Sequence, residues 1–473
     1  MRNKIQKIIG IIIFILFILI NAYFIMSIQN FNIIPNKYMI IVYAIMFILL
    51  LISLLLVTRK NIVAYIIGII FTILISSGYI IGTNYINEAN NTLKKIAENK
   101  ITTVNYYLLV RKDSDIETIE DVKNKKIGYI KDGNSDELIN LVNSKVKSTL
   151  TPYEDYHLII NDFLSDTPII LNSGYTEALG DEVSSFSNSY KIIHTFTIEE
   201  EKEVENETST NIAKEPFLLY ISGIDTYGDI TTRSRSDVNI LLAVNPKTHK
   251  ILLVNTPRDY YVQLHGTTGL KDKLTHAGIY GIDKSITTLE DLYGADINNY
   301  VRVNFNTLIK IVDEIGGIDI ESDTAFTAHT NKKVKVVVGM NHFNGEQALA
   351  YARERYAYTN GDRHRGENQQ QVITAIINKV TSTDTLISKY DKILNTLSNS
   401  FETDLTDKEI KEFAKAQLNN NTAWNIESIS VDGTGAKNYT YSMGTNYLLY
   451  VMVPDQNTVN IAKEKINQVL TEK

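Results

Sequence analysis

The sequence predicts a membrane anchor of three helices followed by domains of the α/β class. The chain of 473 residues opens with three uncharged apolar runs of 20 or 21 residues. After residue 100, strand-like apolar runs alternate with segments of helical period, an order that implies sheets with helices packed on them. The length accommodates two or three domains.

The three apolar runs, residues 8–28, 38–57 and 62–81, predict transmembrane helices. A helix of about 20 residues crosses the apolar core of a bilayer. A cleaved signal peptide would be a single, shorter run, so three runs exclude it.

Basic residues predict the orientation of these spans. Three precede the first span, Arg59 and Lys60 link the second to the third, and only Lys37 lies in the other short loop. Because lysine and arginine favour the cytoplasmic side, the N-terminus and the Arg59 loop are expected in the cytoplasm. An odd number of spans then places everything after residue 82 outside the cell.

Composition excludes several function classes. The net charge of -7 gives no global basic field for nucleic acid, so no nucleic-acid partner is expected. The absence of cysteine removes thiol catalysis, cysteine-ligated zinc and disulfides. The eight histidines form no HExxH pair, so a histidine-based zinc site has no support.

Composition and periodicity divide the chain into five predicted parts. A polar stalk follows the spans, and an acidic stretch with no apolar period, EEEKEVENETSTN, separates an accessory α/β domain from a larger one. In the accessory domain the pattern predicts a short helix over 115–122. The parts are an anchor (1–83), a stalk (84–100), the accessory domain (101–198), a linker (199–213) and the large domain (214–473).

The large domain opens with three predicted strands, residues 217–224, 238–244 and 251–255. They are rich in Val, Ile, Leu and Tyr, and the turn sequence Asn-Pro-Lys-Thr separates the second from the third. An up-down-up meander brings the end of the first strand, the start of the second and the end of the third to one edge of the sheet.

Charged residues occupy that predicted edge. Carboxylates together with several arginines favour a divalent cation bound together with a polyanion, because magnesium fills its coordination shell from carboxylates and phosphates while arginine forks bind phosphate oxygens. Surface salt bridges are the alternative for any single residue. The charged residues are Asp225, Arg233, Arg235, Asp237, Arg258 and Asp259.

A second basic cluster follows a predicted helix over 345–352, for which Asn344 and Gln347 resemble a capping box. The next helix carries Arg365 and Gln369 four residues apart on its first turns, where amide dipoles also favour an anion. A solvated basic helix end is the alternative. The four arginines of this cluster are Arg353, Arg355, Arg363 and Arg365.

Other elements follow from periodicity. A helix over 282–293 ends at Gly294, a strand follows in NNYVRVNF, and Asn306 is expected to cap the next helix. Thr406 and Glu409 predict another capping box, and the C-terminus predicts a strand, a turn and an amphipathic helix.

Six motifs in order make the large domain similar to the LytR-CpsA-Psr family. They are SGID, SRSDVNILLAVNPKTHKILLVNTPRD, KLTHAGIYG, VRVNFNTLIKIVDEIGGIDI, NGEQALAYARERY and GDRHRGENQQQVI. The three spans and the accessory domain resemble the streptococcal-type capsule-attachment members. The resemblance implies a catalytic domain built as an α-β-α layered mixed sheet.

The resemblance also implies a function. Members of the family are membrane phosphotransferases of Gram-positive envelopes, which move a phosphosugar of capsule or teichoic acid type from a polyprenyl pyrophosphate carrier to a peptidoglycan hydroxyl. Magnesium is the implied cofactor, with manganese as the alternative ion and pyrophosphatase as a side activity. Membrane lipid is a further implied partner. A non-enzymatic receptor for wall polymer and a transcriptional attenuator are the competing functions.

Site residues follow by motif position. Asp225 and Asp237 are implied metal ligands, and Asp362 falls in the charged motif with an implied catalytic role. The departure at Leu274-Thr275-His276-Ala277-Gly278 gives His276 no assigned role. The implied pyrophosphate ligands are Arg235, Arg258, Arg353, Arg355, Arg365 and Gln369, of which Arg258, Arg353 and Arg355 are also implied to be catalytic.

Overall fold

The computed structural model describes residues 2–98, 101–154, 156–183, 185–201, 211–224, 229–359, 361–382, 385, 392–394, 401–420 and 422–473. Its first three helices are α1 (Arg2–Phe31), α2 (Asn36–Val57) and α3 (Ile62–Glu98). All three are long and apolar enough to cross a membrane, which confirms the predicted spans.

The membrane helices pack closely against one another. A Cβ atom on Gly68 of α3 would lie 2.6 Å from Cβ of Leu56 in α2, so only glycine permits this approach. A hydrogen bond of 2.6 Å joins the hydroxyl groups of Ser53 and Thr72 across the same two helices. The predicted stalk is not a separate element, because α3 continues through it to Glu98.

Residues 101–201 form a five-stranded sheet in the order β3-β2-β4-β1-β5. Strands β2, β3 and β4 run parallel to one another, while β1 pairs antiparallel with β4 and β5. The elements are β1 (Ile101–Arg111), a 3-10 turn (Ile119–Val122), β2 (Lys126–Ile130), α4 (Ser135–Lys145), β3 (Thr149–Tyr153), α5 (Tyr156–Leu164), β4 (Ile169–Asn172), α6 (Ser173–Glu182) and β5 (Tyr190–Glu201).

Two predictions for this region need correction. The helix expected over 115–122 is only the 3-10 turn from Ile119 to Val122, because Asp121 accepts hydrogen bonds from the backbone and hydroxyl of Thr118 at 2.8 and 2.9 Å and so fixes a late start. Strand β5 extends to Glu201, into the predicted linker. Residues 202–210 of that linker lie outside the described residues.

The large domain is built on a six-stranded mixed sheet in the order β16-β11-β6-β7-β8-β17. The predicted meander is confirmed: β6 pairs antiparallel with β7, and β7 with β8. Strands β11 and β17 add in parallel on either side, and β16 closes one edge antiparallel to β11.

The remaining elements run as follows. The strands are β6 (Phe217–Gly223), β7 (Val238–Asn245), β8 (Lys250–Asn255), β9 (Tyr261–Val262), β10 (Asp272–Lys273), β11 (Asn299–Val303), β12 (Ile318–Ser322), β13 (Phe326–Thr327), β14 (Lys335–Val336), β15 (Gly339–Phe343), β16 (Phe401–Thr403), β17 (Asn425–Ser430), β18 (Gly433–Thr440) and β19 (Gly444–Pro454). The helices are α7 (Leu274–Ala277), a 3-10 turn (Gly278–Tyr280), α8 (Ile282–Tyr293), α9 (Phe305–Glu314), α10 (Gly345–Ala352), α11 (Gly361–Val380), α12 (Asp407–Asn420) and α13 (Gln456–Thr471).

Alternate residues of β6 face opposite layers of helices. Leu218 and Tyr220 pack into a core with residues of α8 and α13. Phe217 lies in a second core with residues of α11 and α12. The α-β-α layering expected of the large domain is thereby confirmed.

The cap of α9 differs from the expected one. Asn304, with extended backbone, accepts a hydrogen bond of 2.9 Å from the Thr307 amide, and Asn306 lies inside the helix. Asparagine is favoured at the N-cap of a helix, and both Asn304 and Asn306 meet that preference. The preceding strand ends at Val303, so Asn304 takes the N-cap position. The capping boxes at Asn344 and Thr406 are confirmed.

The large domain rests on the membrane anchor through α12. Lys411 donates to Asn90 of α3 at 2.6 Å, and Lys415 donates to Asn32, between α1 and α2, at 2.7 Å. The soluble domains therefore lie at the end of the helical bundle that carries the loop between α1 and α2, opposite the Arg59 loop.

Replacing Gly345 by alanine should destabilise the large domain, because the new Cβ would lie 2.2 Å from the backbone oxygen of Ile309 and force α10 away from α9. Overpacking of this kind costs about 1–3 kcal/mol. Thermal unfolding of the detergent-solubilised protein should show a lower melting temperature.

The matched control is Gly133→Ala, since no heavy atom lies within 4 Å of a Cβ built there. Equal melting temperatures for the two variants would contradict the close contact between α9 and α10.

Candidate active site

The site lies at the edge of the central sheet where β7 begins and β8 ends. Asp237 directly precedes β7, and its amide donates to the Gly223 carbonyl at 2.8 Å, at the end of β6. The amide of Thr256 donates to the Asn239 carbonyl at 2.9 Å, which holds the end of β8 beside the start of β7. Antiparallel pairing thus brings residues 237 and 258 together.

Asp237 and Arg258 form an ion pair at this edge. Their side chains are only 11% and 17% exposed, so this is not the surface salt bridge of the alternative interpretation. The other carboxylate oxygen of Asp237 accepts a hydrogen bond of 2.8 Å from the Thr275 hydroxyl. Thr275 is fixed there because its amide donates to the Arg258 carbonyl at 2.9 Å.

Asp237 is held in its ionised form. Burial by itself would raise the pKa of Asp237, but the positive charges of Arg258, Arg235 and Arg365, together with the Thr275 hydrogen bond, lower this pKa below its ordinary value. Three arginines that lie far from one another in the sequence therefore act electrostatically on one carboxylate.

Arg235 reaches the site from the loop before β7. The residue is 7% exposed, and its Nη2 donates to Asp181 of α6 at 2.8 Å. Its Nε is buried and has no hydrogen-bond partner within the described residues. Arg233, which the sequence placed in the same cluster, instead pairs with Glu200 of β5.

Helix α11 brings Arg365 to the sheet edge. A Cβ atom on Gly366 would lie 2.3 Å from Nδ2 of Asn255, so the first turns of α11 pass directly over the end of β8. Farther along, Gln370 donates to the carbonyls of Leu253 and Ile429 at 3.2 and 2.7 Å and fixes the helix on the sheet. Gln369 lies on the same helix, half-buried.

The other predicted arginines contact aromatic rings or an acidic side chain. The guanidinium carbon of Arg353 lies 4.1 Å from the ring centre of Phe305, and that of Arg355 lies 4.7 Å from the ring centre of Tyr356. Arg363 donates to Asp432 at 2.6 Å. The assignment of Arg353 and Arg355 to pyrophosphate stays a prediction.

Two predicted acidic residues are not fully described. Asp225 lies outside the described residues. Asp362 belongs to α11, but the position of its side chain lies outside the description. Their roles as metal ligand and catalytic residue therefore stay predictions.

His276 is part of a buried structural network. Its Nδ1 lies 2.7 Å from Asp272, whose other oxygen accepts from the Ser442 amide at 2.8 Å and so ties α7 to the hairpin of β18 and β19. His276 and Asp272 are both fully buried.

Sequence reasoning missed Lys273, Thr275 and Asp181. Lys273 and Thr275 belong to the KLTHAGIYG motif, and this motif was the available signal for them. Asp181 precedes its partner Arg235 by 54 residues and lies in the accessory domain, so no local pattern could connect the two.

The described donor set is compatible with magnesium. Within the described residues no group of three His, Asp or Glu side chains is arranged to hold a metal. Magnesium, however, commonly takes only one or two protein carboxylates and completes its shell with water and phosphate oxygens. The ionised Asp237 fits that requirement.

Fold and site together define a membrane-anchored α/β protein with guanidinium groups gathered around one carboxylate. Residues 183–465, more than half of the chain, match the LytR_cpsA_psr family. The chain therefore belongs to the LytR-CpsA-Psr family. It is an enzyme of the phosphotransferase class.

Two named transferases and one solved structure are similar to this chain. The polyisoprenyl-teichoic acid--peptidoglycan teichoic acid transferase TagU of Enterococcus faecalis is 34% identical over 54% of this chain and 81% of its own length. TagU of Bacillus mycoides is 32% identical over 58% and 85%. The crystal structure of TagV from B. subtilis matches 55% of this chain and 99% of TagV, with 29% identity and a TM-score of 0.47.

Replacing Asp237 by asparagine should remove a pH-dependent part of the stability. Because the folded pKa of Asp237 is lowered, its contribution is fully present above the unfolded value of about 4 and is lost as pH falls through the folded pKa. The difference in free energy of unfolding between wild type and Asp237→Asn should therefore shrink as pH is lowered from about 6 to about 3.

Urea unfolding at a series of pH values measures this difference. A difference that stays constant across the range would show that Asp237 is not held ionised by its arginines.

Proposed function

We propose that this protein transfers the phosphosugar end of a glycopolymer from a polyprenyl pyrophosphate carrier to a hydroxyl of peptidoglycan. The polymer is of the teichoic acid or capsule class. The names of the relatives, which are teichoic acid transferases acting between a polyisoprenyl carrier and peptidoglycan, favour the teichoic acid class. The lipid of the carrier also makes the membrane a partner.

One observation carries this proposal: the charges of Arg235, Arg258 and Arg365 converge on the ionised Asp237 at a sheet edge. A diphosphate presents several anionic oxygens, and guanidinium groups bind such oxygens in forked geometry. The cluster matches that charge distribution.

In this proposal the arginines hold the diphosphate and neutralise charge as it develops. The acceptor oxygen forms a bond to the phosphorus that carries the sugar, the bond from that phosphorus to the bridging oxygen breaks, and polyprenyl phosphate leaves. The proton of the acceptor hydroxyl is released to solvent. Phosphoryl transfer depends on positioning and charge neutralisation more than on a covalent protein group, so no nucleophilic side chain is required.

Magnesium is the proposed cofactor, with Asp237 and Asp225 as its protein ligands and manganese as the alternative ion. When bound between these carboxylates and the diphosphate, the metal would offset negative charge on the substrate. Asp237 can serve because it is ionised and has a hydroxyl and a guanidinium group to hold its orientation.

The soluble domains are proposed to lie outside the cell membrane, in an envelope of the Gram-positive type. Contacts of α12 with Asn32 and Asn90 place these domains at the end of the bundle opposite the Arg59 loop. The basic residues of that loop favour the cytoplasm. The acceptor, peptidoglycan, is then on the same side as the site.

Replacing Asp237 or Arg258 by alanine should reduce transfer of a lipid-linked donor to wall fragments by at least about 100-fold. The first change removes a proposed metal ligand, and the second removes a cation that offsets charge on the diphosphate. Chelation of divalent cations should have the same effect, and added magnesium should restore transfer. Product mass measured after incubation with the full-length protein in detergent reads out the transfer.

Arg111→Ala is the matched control, since Arg111 pairs with Asp113 inside the accessory domain at 2.6 Å. Wild-type turnover by the Asp237 and Arg258 variants would remove them from the mechanism. Binding of the wall polymer without turnover in any metal would favour the non-enzymatic receptor instead.

Single cysteines should report the orientation of the chain, because the natural sequence contains none. In intact cells a membrane-impermeant maleimide should label Lys112→Cys in the accessory domain and leave Lys60→Cys unlabelled until the membrane is opened. The reverse labelling pattern would place the arginine cluster in the cytoplasm and favour the transcriptional attenuator.

A further inference from the structure

The acidic end of α6 in the accessory domain lies against the loop that carries Arg235. Asp181 accepts from Arg235 at 2.8 Å, and Glu177 accepts from the Ser234 hydroxyl at 3.2 Å. Two successive positions of the loop before β7 are thus held by carboxylates of another domain.

Glu182, the last residue of α6, contacts a second cation near the same site. It pairs with Lys273, whose side chain is 2% exposed. The Lys273 ammonium also lies 3.2 Å from Asp259, and Asp259 lies 3.9 Å from Nε of Arg258. A continuous chain of ionic contacts therefore runs from α6 to the partner of Asp237.

Helix α6 is held against the large domain by a hydrogen bond and by close packing. The hydroxyls of Tyr175 in α6 and Tyr280 in the large domain are joined by a hydrogen bond of 2.7 Å. A Cβ atom on Gly174 would lie 3.3 Å from the side chain of Ile279, so the start of α6 packs tightly against the large domain. The carboxylates of α6 therefore have a fixed position relative to the large domain.

The buried cations depend on these carboxylates. Removing a buried charge from water is costly unless a partner compensates for it, and Lys273 has Glu182 and Asp259 as its two acidic partners among the described contacts. The Asp181 bond takes one of the five N–H groups of Arg235, and the buried Nε–H points to no partner among the described residues. The carboxylate therefore fixes the guanidinium plane and leaves donors for another anion.

These carboxylates stand outside the segment that this chain shares with its family. The family match begins at residue 183, directly after α6. The match also includes β5 of the accessory sheet, so it is the packing of α6 against β1 and β4 of that sheet that assigns Asp181 and Glu182 to the accessory domain.

We propose that the accessory domain completes the active site, with Asp181 and Glu182 as positioning residues that hold Arg235 and Lys273 in the geometry required for the diphosphate. This inference rests on the proposed function, since it assigns Arg235 to the substrate. The accessory domain then supports catalysis because its carboxylates orient two cations that belong to the large domain.

Asp181→Asn in the full-length protein should lower kcat/KM by about 10-fold, because a misdirected guanidinium group holds the diphosphate less well in both the ground state and the transition state. Glu182→Gln should act in the same direction. Asp181→Glu, which restores the charge, should recover most of the lost turnover. Calorimetry should show that inorganic pyrophosphate binds Asp181→Asn at least about fivefold more weakly than it binds the wild type.

Asp113→Asn is the matched control, because it neutralises a carboxylate that pairs with Arg111 within the accessory domain. Its turnover and pyrophosphate affinity should equal those of the wild type.

Unchanged or faster turnover by Asp181→Asn, or tighter pyrophosphate binding, would overturn the proposal and make Asp181 a competitor of the substrate. A loss that glutamate does not restore, with a lower melting temperature, would reduce α6 to a structural support and also overturn it. Asp237→Ala separates the two levels of inference. If Asp237→Ala is inactive while Asp181→Asn is normal, only the positioning role fails. If the wild-type protein itself transfers no donor in any metal, the proposed function fails.

Discussion

The site depends on the largely buried ion pair between Asp237 and Arg258. Each of these charges would be costly to bury alone, and each is tolerated because the other lies beside it. The pair exists because β7 and β8 are antiparallel neighbours, so the residue before one strand meets a residue just after the other. Arg235 and Arg365 add positive charge around the same carboxylate, which keeps it ionised despite its burial. Arg235 also keeps a buried Nε–H that has no partner among the described residues, and such a donor can bind an anionic ligand.

Two separate parts of the chain converge on this sheet edge, and a third part anchors the domain that carries it. The accessory domain contributes the carboxylates of α6, which hold Arg235 and Lys273. Helix α11 crosses the end of β8, where Gly366 permits close approach to Asn255. The membrane anchor contacts the large domain through α12, which packs in the same core as α11. In the proposed function, this arrangement would let the polar end of the donor meet the arginines while its lipid stays in the bilayer.

Much of the fold followed from local pattern. The three spans, the meander of β6 to β8, helix α8 with its left-handed Gly294 and the capping boxes at Asn344 and Thr406 are all encoded in short stretches of sequence. Errors arose where two neighbouring residues satisfied the same rule, as with Asn304 and Asn306, or where the local pattern was weak. Strand β3 contains Pro152, and β18 has two glycines at its start, so neither shows the apolar alternation of a strand.

The sequence by itself determined the membrane anchor, the class of the domains, the family resemblance and the residue types of the site, because hydropathy, periodicity and motif order are properties of contiguous stretches. The tertiary structure decided which charges meet. It paired Asp237 with Arg258 and Thr275, turned Arg233 to Glu200, and brought Asp181 from the accessory domain to Arg235. The physical reason is that ionic contacts depend on distance in space, and strand pairing and domain packing set that distance for residues far apart in the chain.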